Sequence, residues 1–228
     1  MLGTIVNFIA ILLGGSIGVF FKKSLPENYK EVVMNILALS VVVVGIQMAI
    51  TSKNFLVVIL SLVLGGLVGE FLGIEKGLNS LGQKLEKRFS ESGGDFARGF
   101  VYATLVFCVG AMAIMGAIED GLNNNHQILF IKSLLDGISS IIFAATLGKG
   151  VIFSAFPVLI YQGSIALFAG LIKGFLTPAI VNELTATGGI LIIGIGTNML
   201  NLTKLKIGNY LPALIFVFVF EPALRFLS

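Results

Sequence analysis

The sequence predicts an all-α, polytopic transmembrane helical bundle, and three observations carry that reading. Of 228 residues, 56% are hydrophobic and 12% are charged, where a soluble domain carries about 25% charge. Mean hydropathy is +1.00, which leaves too little polar surface to coat a soluble particle. The 28 glycines suit helices that approach one another closely in lipid.

A hydrocarbon core about 30 Å thick needs roughly 20 apolar residues per helix. Eight such runs occur, at about 3 to 21, 32 to 51, 54 to 73, 99 to 118, 127 to 147, 150 to 172, 180 to 200 and 208 to 226. Span 1 opens MLGTIVNFIAILLGG, with no basic residue ahead of it and Lys22-Lys23 behind it. It reads as a true first span entering from outside, since a signal peptide carries its positive charge in front. Spans 2 and 3 are joined by only two or three residues, which leaves a re-entrant reading of that hairpin open. In span 3, Gly65, Gly69 and Gly73 make two overlapping G-x-x-x-G units, set for close packing within the chain or at a homodimer interface.

The polar segment 75 to 98 has helical apolar spacing at Leu78, Leu81 and Leu85 and a break at Gly93-Gly94. It is expected to be a short amphipathic helix on the cytoplasmic surface followed by a linker, inside what is otherwise one transmembrane domain over 1–228. Glu75, Glu86, Glu91 and Asp95 are interleaved with its basic residues, against a nucleic-acid patch, which needs clustered positive charge. Span 4 holds the sole cysteine, Cys108, read as a small buried hydrophobe; one cysteine excludes an internal disulfide. The external loop that follows is expected to begin at Glu119-Asp120 and to carry a solvated His126.

Alternate crossing puts eleven of the fifteen basic residues in the loops on one side and Lys53, Lys173 and Arg225 on the other. By the positive-inside rule the crowded side is cytoplasmic and the N-terminus is outside.

Self-comparison suggests an inverted 3+3 repeat. Residues 2 to 21 lie on 150 to 169 with Gly15-Ser16-Ile17 over Gly163-Ser164-Ile165, 30 to 48 lie on 181 to 199, and Glu70 lies on Glu221. Spans 1 to 3 then match spans 6 to 8, with spans 4 and 5 inserted between them. The offset of five crossings makes the two copies run in opposite directions, which sets a functional site near the midplane.

Chemistry must come from what is polar at depth. Lys132 and Asp136 lie in the otherwise apolar span 5, one helical turn apart on one face. Unpaired, each would cost about 2.5 to 3.5 kcal/mol at a helix centre. They must pair, bind carbonyls or face water, as a structural lock or as a site for an ion or charged solute. In span 6, Pro157 and Gly163 predict a broken helix, with Ser154, Tyr161 and Gln162 able to complete a site. Alternatively, Ser154 re-satisfies a simple proline kink. Gly14 and Gly15 occupy the matching region of span 1, with Asn7 two turns earlier. Gln47 and Asn198 fall at inverted positions in spans 2 and 7.

The runs VGAMAIMGAIEDGL, KSLLDG, FSAFPVLIYQG and NYLPALI resemble the YdfK/YqgA-like family of bacterial integral-membrane proteins, catalogued as a domain of unknown function. The resemblance covers nearly the whole chain and implies a multi-pass protein of the bacterial plasma membrane. It carries no substrate or catalytic residue.

The residues thus point to secondary transport of a small solute or ion through Lys132, Asp136, Ser154, Tyr161, Gln162, Gln47 and Asn198. The alternatives are a passive channel and a non-transporting scaffold. No H-E-x-x-H, G-x-S-x-G or G-x-x-x-x-G-K-[ST] motif occurs, so no enzyme is expected. No cofactor is implied, a single cysteine excludes a Cys-based zinc site while other metal binding stays open, and the partners expected are the bilayer and the solute.

Overall fold

The computed structural model describes residues 1–22, 27–78, 80 and 95–225. Apart from one 3-10 turn, the regular structure is α-helical: α1 Leu2–Lys22, α2 Glu27–Ala49, α3 Phe55–Leu72, α4 Asp95–Cys108, α5 Ala111–Leu122, α6 Gln127–Leu147, α7 Gly150–Phe153, α8 Ala155–Leu167, α9 Ala169–Ile172, α10 Pro178–Met199, the 3-10 turn Ile207–Tyr210 and α11 Ala213–Leu224. Among the described residues, seven spans are long and apolar enough to cross a membrane, and α4 with α5 makes an eighth if that bent pair is one crossing. Their apolar side chains point outward as well as inward, Phe71 at 90% exposure and Ile160 at 68% among them, which only a lipid surround accommodates. The protein is a multi-pass helical membrane protein. Most of the expected amphipathic segment, including Leu81, Leu85 and Gly93-Gly94, lies outside the described residues.

The helices form two compact units, residues 1–34 with 80–174 and residues 35–79 with 175–228. In the first, α1 and α6 are the principal pair. A Cβ on Gly3 would meet the Leu129 side chain at 2.7 Å, one on Gly14 the Gly137 carbonyl at 2.2 Å, and one on Gly18 the Ile141 carbonyl at 2.2 Å. The contacts advance together along both chains, so α1 and α6 run parallel, with the α6 backbone seated where α1 has no side chains. Against α7 and α8, in contrast, α1 runs antiparallel: Gly15 faces Ile152, and Phe8 meets Phe156 edge-to-face at 5.5 Å.

Of the expected helix breaks, the one ahead of Pro157 formed, and those at Gly14-Gly15 and at Gly163 did not. α1 runs unbroken through Gly14 and Gly15, because those glycines serve close approach and not interruption. Span 6 is interrupted at Ser154, between α7 and α8, yet still counts as one crossing from Gly150 to Leu167, and Gly163 lies inside continuous α8. Pro157 sits in the first turn of α8, where a missing N–H costs least. The sharp break falls in span 4, where α4 and α5 meet at 63°. Gly110 makes it with φ 137° and ψ 152°, a conformation that favours glycine. The second half of that span carries Glu119 and Asp120 within α5, so they are helical and not the start of a loop.

The second unit contains two antiparallel pairs. In α2 and α10, Gly45 faces Gly189 and Ile193, while Gly196 faces Ala38 and Val42. In α3 and α11, a Cβ on Gly65 would meet Ala213 N at 2.3 Å, and one on Gly69 would meet the Asn209 carbonyl at 1.8 Å. The Gly65 and Gly69 face is therefore filled by the chain's own backbone, which removes it as a free homodimer surface. Gly73 caps α3 with φ 65°. Glu183, almost fully buried, closes the turn between α2 and α3 by accepting from Ser52 Oγ and from the Lys53 and Asn54 amides at 2.6, 2.7 and 3.0 Å.

Candidate functional site

The first unit buries a connected polar cluster. From the middle of α6, Lys132 Nζ donates to Asp136 Oδ1 and Oδ2 at 2.8 and 2.7 Å. Both residues are only 6% exposed, so the i, i+4 spacing read from the sequence produces a buried ion pair. The parallel packing of α1 on α6 brings Asn7 to the same place. Asn7 Nδ2 donates to Asp136 Oδ2 at 3.0 Å and to Gln162 Oε1 at 3.2 Å, linking α1, α6 and α8. Asn7 and Gln162 are fully buried. The donor–acceptor logic sets the amide orientations: the carboxylate can only accept, so Asn7 must turn its NH2 toward it. That leaves Asn7 Oδ1 and Gln162 Nε2 buried without a hydrogen-bond partner among the described residues. A buried polar atom left unsatisfied costs about 1 to 3 kcal/mol.

The other expected site residues divide around it. Ser154 is fully buried, and its hydroxyl donates to the Val151 carbonyl at 2.6 Å, within its own helix at the interruption and not to the Phe153 carbonyl that Pro157 leaves without its helical donor. Tyr161 is half-buried next to Gln162 in α8. In the second unit Gln47 is exposed. Asn198, at the end of α10, folds the following loop: Nδ2 donates to the Leu205 carbonyl at 2.8 Å, and Oδ1 accepts from Thr203 Oγ1 and the Leu205 amide. Asn198 is thus committed locally and does not mirror Gln47.

Asn7 is the residue that sequence reasoning passed over as a site member. Its position in the matching half of the repeat was visible, but which α1 face meets Asp136 depends on glycine packing. His126 is a second correction. Instead of standing solvated it pairs through Nδ1 with Asp120, which is fully buried and also accepts from the Gly3 amide, the Thr4 amide and the Thr4 hydroxyl at 3.1, 3.2 and 3.1 Å. A carboxylate lent by α5 caps the N-terminus of α1, where helix N–H groups lack intrahelical partners. No group of three or more His, Cys, Asp or Glu able to hold a metal occurs among the described residues.

Known sequences resemble the chain over nearly its whole length. Residues 2–221 match the family described as "Protein of unknown function (DUF554)". The chain belongs to the DUF554 family. Within reach of this DUF554 chain are the "Uncharacterized membrane protein YdfK" of Bacillus subtilis, 37% identical over 94% of this chain and 93% of that protein, and the "Uncharacterized protein YqgA" of Escherichia coli, 31% identical over 94% of each. No solved structure matches at a significant level.

Proposed function

We propose that this DUF554 protein is a secondary transporter of a small polar solute or ion, and that Asn7, Lys132, Asp136 and Gln162 form its binding site. One observation carries the reading: two fully buried amides beside a buried ion pair each keep a polar atom unpartnered among the described residues, Asn7 Oδ1 as acceptor and Gln162 Nε2 as donor. Buried ionisable groups in membrane spans mark solute and ion pathways. Lys132 already occupies both Asp136 oxygens, so a cation must displace the ammonium to reach the carboxylate. A solute presenting one acceptor and one donor instead meets the free amide atoms directly. The protein resides in the bacterial plasma membrane with its N-terminus outside, and no catalytic step is assigned to it.

Side-chain contacts support the inverted repeat that this architecture calls for. The register laying 30 to 48 on 181 to 199 carries Gly45 onto Gly196, Ala38 onto Gly189 and Val42 onto Ile193. Exchanging the copies therefore turns the contacts of Gly45 into those of Gly196. For spans 3 and 8 a similar exchange works when Asn54-Phe55-Leu56 lies on Asn209-Tyr210-Leu211, in place of Glu70 on Glu221. Asn54 Nδ2 then donates to the Leu224 carbonyl, while Asn209 lies against Gly69, the position equivalent to Leu224. Each repeat pair also falls within a single unit, with spans 1 and 6 in the first and spans 2, 3, 7 and 8 in the second, save residues 30–34 at the start of span 2.

The test is solute flux into proteoliposomes across a panel of ions and small organic acids. Gln162→Leu keeps the volume and should leave a folded, monodisperse protein whose flux falls at least tenfold. Flux that saturates with concentration identifies a carrier; flux linear over the same range identifies a channel. No flux from the native protein, or full flux from Gln162→Leu, overturns the assignment.

A further inference from the structure

The second unit also holds a groove of about 540 Å³ lined by residues of α3 and of the segment leading into α11. Its floor is apolar, formed by Leu62, Val63, Gly66 and Leu67, and it opens to the lipid-facing side, where Leu67 is 64% and Val63 53% exposed. The Tyr210 ring forms one wall because position 66 has no side chain: a Cβ there would meet the ring at 2.9 Å. The rim is polar and contains Glu70, Lys204, Lys206 and Asn209.

The charges on that rim do not cancel. Glu70 Oε1 accepts from Lys206 Nζ at 2.6 Å, and Glu70 Oε2 accepts from Asn209 Nδ2. This carboxylate is therefore neutralised by the Lys206 ammonium and supported by an amide, while Glu75, which accepts from the Gly208 amide at 2.7 Å, and Lys76, whose charge acts on Glu70, add one charge of each sign beside the rim. Lys204 remains as an exposed cation with no partner among the described residues, and the Tyr210 hydroxyl is also without one. An apolar trough ending at one uncompensated ammonium and a phenol is complementary to an amphiphile with a single negative headgroup. On the orientation proposed above, the lysines lie on the membrane face that holds most of the chain's basic residues.

We infer that this groove is a binding site for an anionic phospholipid, with the headgroup phosphate on Lys204 and Tyr210 and an acyl chain along Val63, Gly66 and Leu67. This inference is independent of the solute site. Lys206 holds the rim in shape through Glu70 and contributes no net charge to the phosphate.

The sequence contains no tryptophan, so Leu67→Trp places a lone fluorescent reporter in the trough. The protein carrying it, monodisperse after purification, is reconstituted into phosphatidylcholine vesicles doped with brominated phosphatidylglycerol or with brominated phosphatidylcholine. The anionic lipid should quench at about fivefold lower mole fraction, the worth of roughly one basic residue at a membrane surface. Adding Lys204→Gln should bring the two lipids to equal efficiency, whereas Lys53→Gln, in the turn between α2 and α3, should leave the preference intact. Equal quenching in the reporter protein, or a preference that survives Lys204→Gln, overturns the proposal. Absence of quenching by both lipids does so as well, because the groove would then be covered by something other than lipid, such as a second copy of the chain.

Discussion

Lys132 and Asp136 show why one interaction must be judged by what remains when half of it is removed. Each charge alone at depth is costly, and the pair is tolerable because ammonium and carboxylate meet at 2.7 to 2.8 Å. Lys132→Met leaves a buried carboxylate held by the Asn7 amide alone and should cost about 3 to 5 kcal/mol, as should Asp136→Leu. The double variant should recover most of the folded yield by size-exclusion chromatography, because no uncompensated charge then remains. Recovery of flux together with yield would make the pair a structural lock and remove it from the solute site. The spacing that makes this pair was plain in the sequence. The contribution of Asn7 was not, because an asparagine two turns ahead of Gly14 is indistinguishable from any other polar residue near a helix end until its neighbour is known.

At the scale of helices, the glycines divide by what their missing side chains admit. Gly14 receives the Gly137 carbonyl, whereas a Cβ on Gly163 would meet nothing nearer than 3.7 Å. Gly14→Ala should therefore destabilise by about 1 to 3 kcal/mol through overpacking. Gly163→Ala should be neutral or stabilising by up to about 1 kcal/mol, the propensity difference within a helix. Thermal unfolding of the purified variants in one detergent compares them; equal shifts would mean that α1 and α6 can separate without loss. Both glycines suggest a helix break when read locally, since helical sequences use glycine for interruption and for contact alike. The bend that did form, at Gly110, lies in a run rich in alanine and methionine where no proline marks it.

For the whole molecule, the asymmetry of basic residues orients every span at once. With Cys108→Ala as background, single cysteines at Ser52 and Asn124 should react with an impermeant thiol reagent in intact cells, and one at Thr203 should react only after lysis. Labelling of Thr203 in intact cells together with loss of labelling at Ser52 would reverse the orientation. The same experiment tests whether the bent α4 and α5 pair crosses as one span, because a re-entrant pair would return to its starting face and move Asn124 to the side opposite Ser52.

What the sequence determined by itself is the class of the molecule: apolar runs of membrane length, a strong bias of basic loops, and an ion pair forced together by a single turn of helix. These follow from hydrophobic length, charge and local geometry, all of which act within one segment. Only the tertiary structure decided which residues join that pair, which glycines are contacts, and where the sharp bend falls. Asn7 reaches Asp136 because α1 lies on α6 at Gly14 and Gly18. Asn198, by contrast, turns to its own loop because Thr203 and Leu205 offer its amide a complete set of partners. The choice between such fates depends on which helix faces meet, and apolar segments of similar composition leave that choice to packing.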